Sequence, residues 1–130
     1  MSLNDPLANI LSNILNSEIK GKPFCLVTPS SKIVKVVLQV MKEKRYVGDC
    51  ELFSLERGGT LKINLLGNIN KCGAIKPRFS ITKKNYELFE KRYLPAKGFG
   101  ILIVSTSKGI MSHKEALGKN LGGKLLAYCY

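Results

Sequence analysis

The stretch STSKG (residues 105–109) places three hydroxyls, an amine and a glycine directly behind the apolar run GILIV. Three chemistries suit such a group. Ser105 and Lys108 fit S-x-x-K, the spacing that brings a lysine amine beside a serine nucleophile when the segment is helical. A glycine-flanked loop of small polar residues can instead cradle phosphate through its backbone N–H groups. It can also lie against a polynucleotide and exchange hydrogen bonds with phosphates and 2′-hydroxyls. The nucleophile reading is disfavoured because Ser105 closes a strand-like run and Gly109 interrupts any helix. The nearby GKNLGGKL (residues 118–125) comes within one residue of the phosphate-loop pattern, but Leu125 stands where the magnesium-binding hydroxyl belongs. That loop also leads into a strand instead of opening a helix, so its paired glycines read as turn residues. His113 has only Glu115 as a neighbouring carboxylate and reads as an exposed cap residue, not a base.

Charge selects among the readings that remain. The 130 residues include 21 Lys and Arg against 9 Asp and Glu, a net charge of +12. Residues 1–58 carry 8 basic and 6 acidic groups, whereas residues 59–130 carry 13 and 3. A merely solubilising surface mixes its signs, so a one-sided cationic half calls for a polyanion, of which nucleic acid is the commonest. A membrane surface is the weaker rival: the basic residues are spread through strands and loops, with no Lys-rich amphipathic helix and no lipidation signal. The opening MSLNDPLANIL lacks the basic start and unbroken apolar core of a signal peptide, and no apolar run approaches spanning length. The expectation is a soluble, cytoplasmic protein. Cys25, Cys50, Cys72 and Cys129 form no C-x-x-C pair, and with one histidine they spell no zinc site. They read as small buried hydrophobes in a reducing compartment. No metal, cofactor or catalytic residue is expected.

The elements that position these loops follow from periodicity. Asp5 and Pro6 start a helix in which Leu7, Ile10, Leu11, Ile14 and Leu15 recur at helical spacing, and Gly21 closes it. PFCLV reads as a short buried strand. TPSSK then supplies a turn and a serine cap for a second helix over about residues 32–44, with Ile33, Val37, Val40 and Met41 as its inner stripe. Its β-branched density would also suit a strand, but cap and length favour a helix. CELFSLE and TLKINLL flank Arg57, Gly58 and Gly59, a hairpin signal, and Leu61, Ile63 and Leu65 alternate with Lys62 and Asn64. Residues 1–66 thus read as an α-β-α-β-β lobe, and the relaxed stretch 67–74 reads as a linker. Residues 75–130 read as a basic, mostly β lobe with short helices. In it AIKPRFSI is an edge strand with one apolar and one cationic face. A short helix follows, with Thr82 as its candidate cap, and stops before Pro95. Tyr86, Phe89 and Tyr93 form a core stripe, from which Tyr86, beside Lys83 and Lys84, is set aside as a candidate base-stacking ring. GFGILIVS is a buried strand, Ser112 and Glu115 make a capping box, and GGKLLAYCY is a final strand. The fold class is α+β, in two small lobes.

Taken together, GFGILIVSTSKGIMSHKEALGKNLGGKLLAYCY resembles the C-terminal signature of the family of the small-subunit ribosomal protein S-eight, in its shorter archaeal or eukaryotic style. DPLANILSNILNSE, TPSSK, AIKPRFSI and STSKG…HKEA…GG fall in that family's order over the whole chain, and the last is the most specific. The resemblance implies a two-lobed, non-catalytic structural component of the small ribosomal subunit. Such a protein binds a stem with an irregular internal loop in the central domain of small-subunit rRNA, supports assembly, and sits beside neighbouring small-subunit ribosomal proteins. Some bacterial relatives also bind their own operon's mRNA. The resemblance implies that Ser105, Thr106, Ser107 and Lys108 enter the minor groove, and that Thr28, Pro29, Ser30, Ser31 and Lys32 touch RNA backbone. Gly122, Gly123 and Lys124 complete the candidate surface. Many bacterial members carry a glycine after K-P and a stacking tyrosine in the strand that follows; KPRFSI has neither, which leaves Arg78 and Tyr86 as the candidates to stack.

Overall fold

The structure, a computed structural model, describes residues 6–28, 32–54, 59–75, 78–82, 84–96 and 99–130. The expected caps at Asp5, Ser30 and Ser31 lie outside the described residues, as do Pro29, Arg57, Gly58, Lys76, Pro77 and Lys83. The chain divides into two compact units, Met1–Asn70 and Lys71–Tyr130.

The first unit follows the α-β-α-β-β order: α1 (Pro6–Ile19), β1 (Phe24–Val27), α2 (Lys32–Glu43), β2 (Val47–Ser54) and β3 (Thr60–Leu65). Leu7, Ile10, Leu11 and Ile14 of α1 are all buried, as the helical spacing requires. Past the end of α1, Gly21 adopts a left-handed φ of +71°. Its N–H reaches Glu18 O at 3.0 Å and the N–H of Lys22 reaches Ser17 O at 3.0 Å, which satisfies the last carbonyls of the helix. Arg45 closes α2 in the same way at a φ of +63°. The buried arc of α2 runs over Val34, Val37, Leu38, Val40 and Met41. Ile33, expected inside, stands in the first turn at the border of that arc and is 37% exposed. The three strands form an antiparallel sheet in the order β1-β3-β2.

The second unit contains β4 (Cys72–Ala74), β5 (Ser80–Ile81), α3 (Tyr86–Tyr93), β6 (Ile101–Thr106), β7 (Gly109–Ser112), α4 (His113–Gly118) and β8 (Gly123–Cys129). Its sheet runs β4-β8-β6-β7, all antiparallel, with β5 also paired to β8. Along AIKPRFSI the described residues place Ala74 at the end of β4 and Ser80–Ile81 in β5, and the two-faced pattern persists. Ile75 and Ile81 are buried and Phe79 packs against the core, while Arg78 and Ser80 are exposed. Thr82 does not cap α3. Its carbonyl accepts the N–H of Asn85 at 3.0 Å in the preceding turn, and Asn85 takes the cap position. Ser112 caps α4 as expected, accepting from the Glu115 N–H at 3.4 Å.

The chain changes unit over a very short span within the 67–74 stretch. Asn68 donates its side-chain amide to Arg45 O at 2.8 Å and Ile69 donates its N–H to Glu18 Oε2 at 3.0 Å. Lys71 instead exchanges two backbone hydrogen bonds with Tyr130, at 2.9 and 2.8 Å.

Two residues move from the surface to the interior. Tyr86, held back as a stacking candidate, is 1% exposed within the cluster of Ile75, Ile81, Phe89, Leu102, Val104 and Leu125, and its hydroxyl donates to Leu121 O at 2.8 Å. Helical spacing carries the ring inward despite the lysines beside it in sequence, and it offers no face to a base. His113, expected as an exposed cap residue, is fully buried. Its Nδ1 accepts the N–H of Leu102 at 3.1 Å, so the neutral ring carries its proton on Nε2, which faces Glu90 Oε1 at 3.6 Å. Burial holds the imidazole below its ordinary value of 6.5; the Glu90 charge opposes that shift and the Lys114 charge reinforces it. Of the cysteines, Cys25, Cys72 and Cys129 are buried and Cys50 is half-buried.

Candidate RNA interface

STSKG folds as a hairpin tip, not as a loop ahead of a helix. β6 pairs with β7 through Thr106↔Gly109, which leaves Ser107 and Lys108 as a two-residue turn. Gly109 has a φ of +114° with open space where a Cβ would stand, so backbone conformation is what requires glycine there. The Thr106 hydroxyl donates to Gly109 O at 2.7 Å and accepts from the Lys108 N–H at 3.2 Å. Its one proton is engaged, so Thr106 fixes the turn and has only an acceptor lone pair to offer outward. Ser107 and Lys108 at the tip are exposed, while Ser105 and Thr106 are half-buried. A strand-and-turn conformation also removes the helical turn that S-x-x-K needs to bring its lysine to its serine.

Strand pairing joins this tip to the second glycine-rich stretch. Thr106 stands opposite Gly123 and Ser105 opposite Lys124 across β6 and β8, and on the far side of β8 Lys124 stands opposite Ser80. Ser105 is also paired with Ile110 of β7. Directly opposed residues project from the same face, so Ser80, Lys124, Ser105 and Ile110 form one row across four strands, with about 4.8 Å between neighbouring strands. The row lies on the sheet face opposite the side chains of Leu102, Val104 and Leu125. Ser80 and Lys124 are exposed, and Ser105 and Ile110 half-buried.

Gly122 and Gly123 make that proximity feasible. A Cβ on Gly122 would come within 2.6 Å of Ile81 O, and one on Gly123 would overlap the carbonyl oxygen of Ser105. These two positions serve backbone approach between β5, β8 and β6. Arg78, also assigned from sequence, is exposed two residues before Ser80. Arg92, not singled out from sequence, holds its guanidinium 5.1 Å from the Phe79 ring centre and 5.6 Å from that of Tyr93. Ser80 and Ile110, also not singled out, join the row through strand pairing. The alternation of AIKPRFSI gave the outward direction of Ser80, but no sequence signal gives the register that sets it beside Lys124.

The other candidates lie in the first unit. Thr28 is exposed, with its hydroxyl 3.4 Å from that of Thr60, and Lys32 is the exposed first residue of α2. Pro29, Ser30 and Ser31 lie outside the described residues.

Residues 5–130 match the sequence model of the family described as Ribosomal protein S8. The chain belongs to the ribosomal protein S8 family. As a member of that family it is a structural constituent of the small ribosomal subunit, acts in translation, and binds rRNA and other ribosomal proteins. The family is structural, not enzymatic, and its place is the ribosome. Among the described residues, no helix is long and apolar enough to cross a membrane and no cluster of His, Cys, Asp and Glu could hold a metal ion.

Proposed function

We propose that the row Ser80–Lys124–Ser105, with the exposed tip Ser107 and Lys108, is the surface by which this ribosomal protein binds an rRNA stem with an irregular internal loop in the central domain of small-subunit rRNA. The single observation that carries this reading is the register that sets a lysine between two serines on one sheet face, next to a hairpin tip with a further hydroxyl and amine. Stems of RNA present 2′-hydroxyls and base edges in a wide, shallow minor groove, which short hydroxyl side chains can approach. Lys108, Lys124 and Arg78 supply the attraction through counterion release, while the hydroxyls discriminate by shape. Lys32 and Thr28 of the first unit touch phosphates and add to affinity without reading sequence. An operon messenger that folds into the same stem competes for the same row.

Binding titrations over a salt series, with the cognate stem, a scrambled stem and a deoxyribose version, test this. Ser107→Ala costs about 1–2 kcal/mol on the cognate stem alone, whereas Lys32→Ala weakens binding to every RNA and lowers the salt slope by roughly 1. Equal losses for both variants on both RNAs, or indifference to ribose, would sink the assignment.

A further inference from the structure

We propose that the outer edge of β1 and the groove beside it bind an extended, acidic segment of a neighbouring ribosomal protein, added as a fourth strand to the β1-β3-β2 sheet. This inference concerns the first unit and does not rest on the RNA surface assigned above.

Backbone geometry opens the edge. Leu65 donates its N–H to Pro23 O at 2.9 Å, in line with the register Phe24↔Asn64, Cys25↔Ile63, Leu26↔Lys62 and Val27↔Leu61. Antiparallel pairs alternate between hydrogen-bonded and non-bonded, so positions 23, 25 and 27 bond towards β3. The N–H and C=O groups of Phe24 and Leu26 therefore point away from β3, and no other described strand pairs with β1. These two residues are also the exposed ones in the strand, at 38% and 43%. An open groove of about 710 Å³ runs beside them, with Asn13, Asn16, Lys20 and Lys22 lining it as well.

The donors and charges identify the occupant. An unpaired strand edge offers alternating N–H and C=O groups, which another strand matches group for group. A nucleic-acid backbone offers phosphate oxygens, which the outward carbonyls would repel. Phe24 and Leu26 suit an apolar contact, and Lys20 and Lys22, which form no ion pair among the described residues, suit carboxylates. Lys62 holds its ammonium 4.7 Å from the Phe24 ring centre and adds cationic character to the same side. Edge strands are often guarded against pairing by charges or bulges. β1 reads Phe-Cys-Leu-Val, carries no charge, and runs in unbroken register with β3. Residues 1–70 carry 9 basic and 6 acidic groups against 12 and 3 in residues 71–130, which leaves this unit the weaker attractor of RNA.

The test uses small subunits reconstituted with a chain that carries photoreactive benzoylphenylalanine in place of Phe24. After irradiation, cross-linked peptides are identified by mass spectrometry. The expected product joins position 24 to an extended, Asp- and Glu-rich segment of a neighbouring protein. Its yield falls at least about fivefold in Leu26→Pro, which removes one outward N–H and spares the bonds to β3. The pair Lys20→Glu with Lys22→Glu gives a similar fall, and serves as the deciding variant if the amide spectrum of Leu26→Pro is not that of a folded unit. A cross-link to rRNA, to a second copy of this chain or to a non-acidic segment overturns the proposal. So does the absence of any cross-link, or a yield unchanged in the folded variants.

Discussion

Glycine does different work in the two units. Gly21 of the first unit has open space where a side chain would begin, and only its φ of +71° requires glycine; at the equivalent end of α2 the chain places Arg45 in the same conformation. In the second unit, Gly122 and Gly123 are held against the carbonyls of Ile81 and Ser105, where any Cβ collides with backbone. Gly21 thus serves an angle, as Gly109 does at the hairpin tip, whereas Gly122 and Gly123 serve room. A lost angle costs strain at one residue, whereas lost room pushes apart three of the four strands that carry the candidate RNA row. The strands that carry the candidate row therefore cannot absorb an added methyl group at Gly122 or Gly123 without shifting.

The sharpest way to break this comparison is a pair of alanine substitutions. Gly123→Ala should lower the unfolding free energy by about 3 kcal/mol through overpacking, and Gly21→Ala by only about 1 kcal/mol through its left-handed angle; urea titrations of the two variants measure both. Equal losses would refute the distinction. Charge provides the next contrast. Removing Lys108 and Lys124 together should reduce the salt dependence of rRNA binding by about 2 in log–log slope, whereas Lys42→Ala should leave it unchanged.

Acid separates the units in a third way, because His113 is the only histidine in the chain and lies in the second. Its native pKa is lowered, so below 6.5 the unfolded chain binds a proton that the folded unit refuses. Stability from this group is complete above that value and is lost as the pH falls through it, with a slope of at most about 1.4 kcal/mol per pH unit. Amide exchange compared at about pH 7 and about pH 5.5 should show faster opening at Leu102 and its neighbours in β6, with amides of β3 unaffected by this group. The smallest effect belongs to the exposed pair of Lys42 and Asp49, 3.2 Å apart. Lys42→Ala should change thermal stability by less than about 0.5 kcal/mol.

What could be read from sequence was local. The stripe of α1, its closure at Gly21 and the Ser112 cap depend on residues within a turn or two of one another, the cationic bias depends on composition alone, and each was legible. The hydroxyl cluster was legible as composition but not as shape. β7 spans only Gly109–Ser112, too few residues to show alternation, and the cap at Ser112 masked it. His113 was misread because its sequence neighbours are polar, while the group that binds its Nδ1 is the Leu102 N–H eleven residues earlier. Tyr86 was misread for the same reason: flanking lysines suggested solvent, and the packing of α3 decided otherwise. Ser80 acquires its place in the row only through pairing with a strand more than forty residues away. Register is a property of the assembled sheet, and no window along the chain contains it.

Lys71 and Tyr130 exchange a reciprocal pair of backbone hydrogen bonds, so the second unit is entered and left at one corner. Chains with neighbouring ends tolerate re-threading. A short bridge from Tyr130 back to Lys71, with a new opening cut at an exposed turn, would preserve every strand pairing in permuted order.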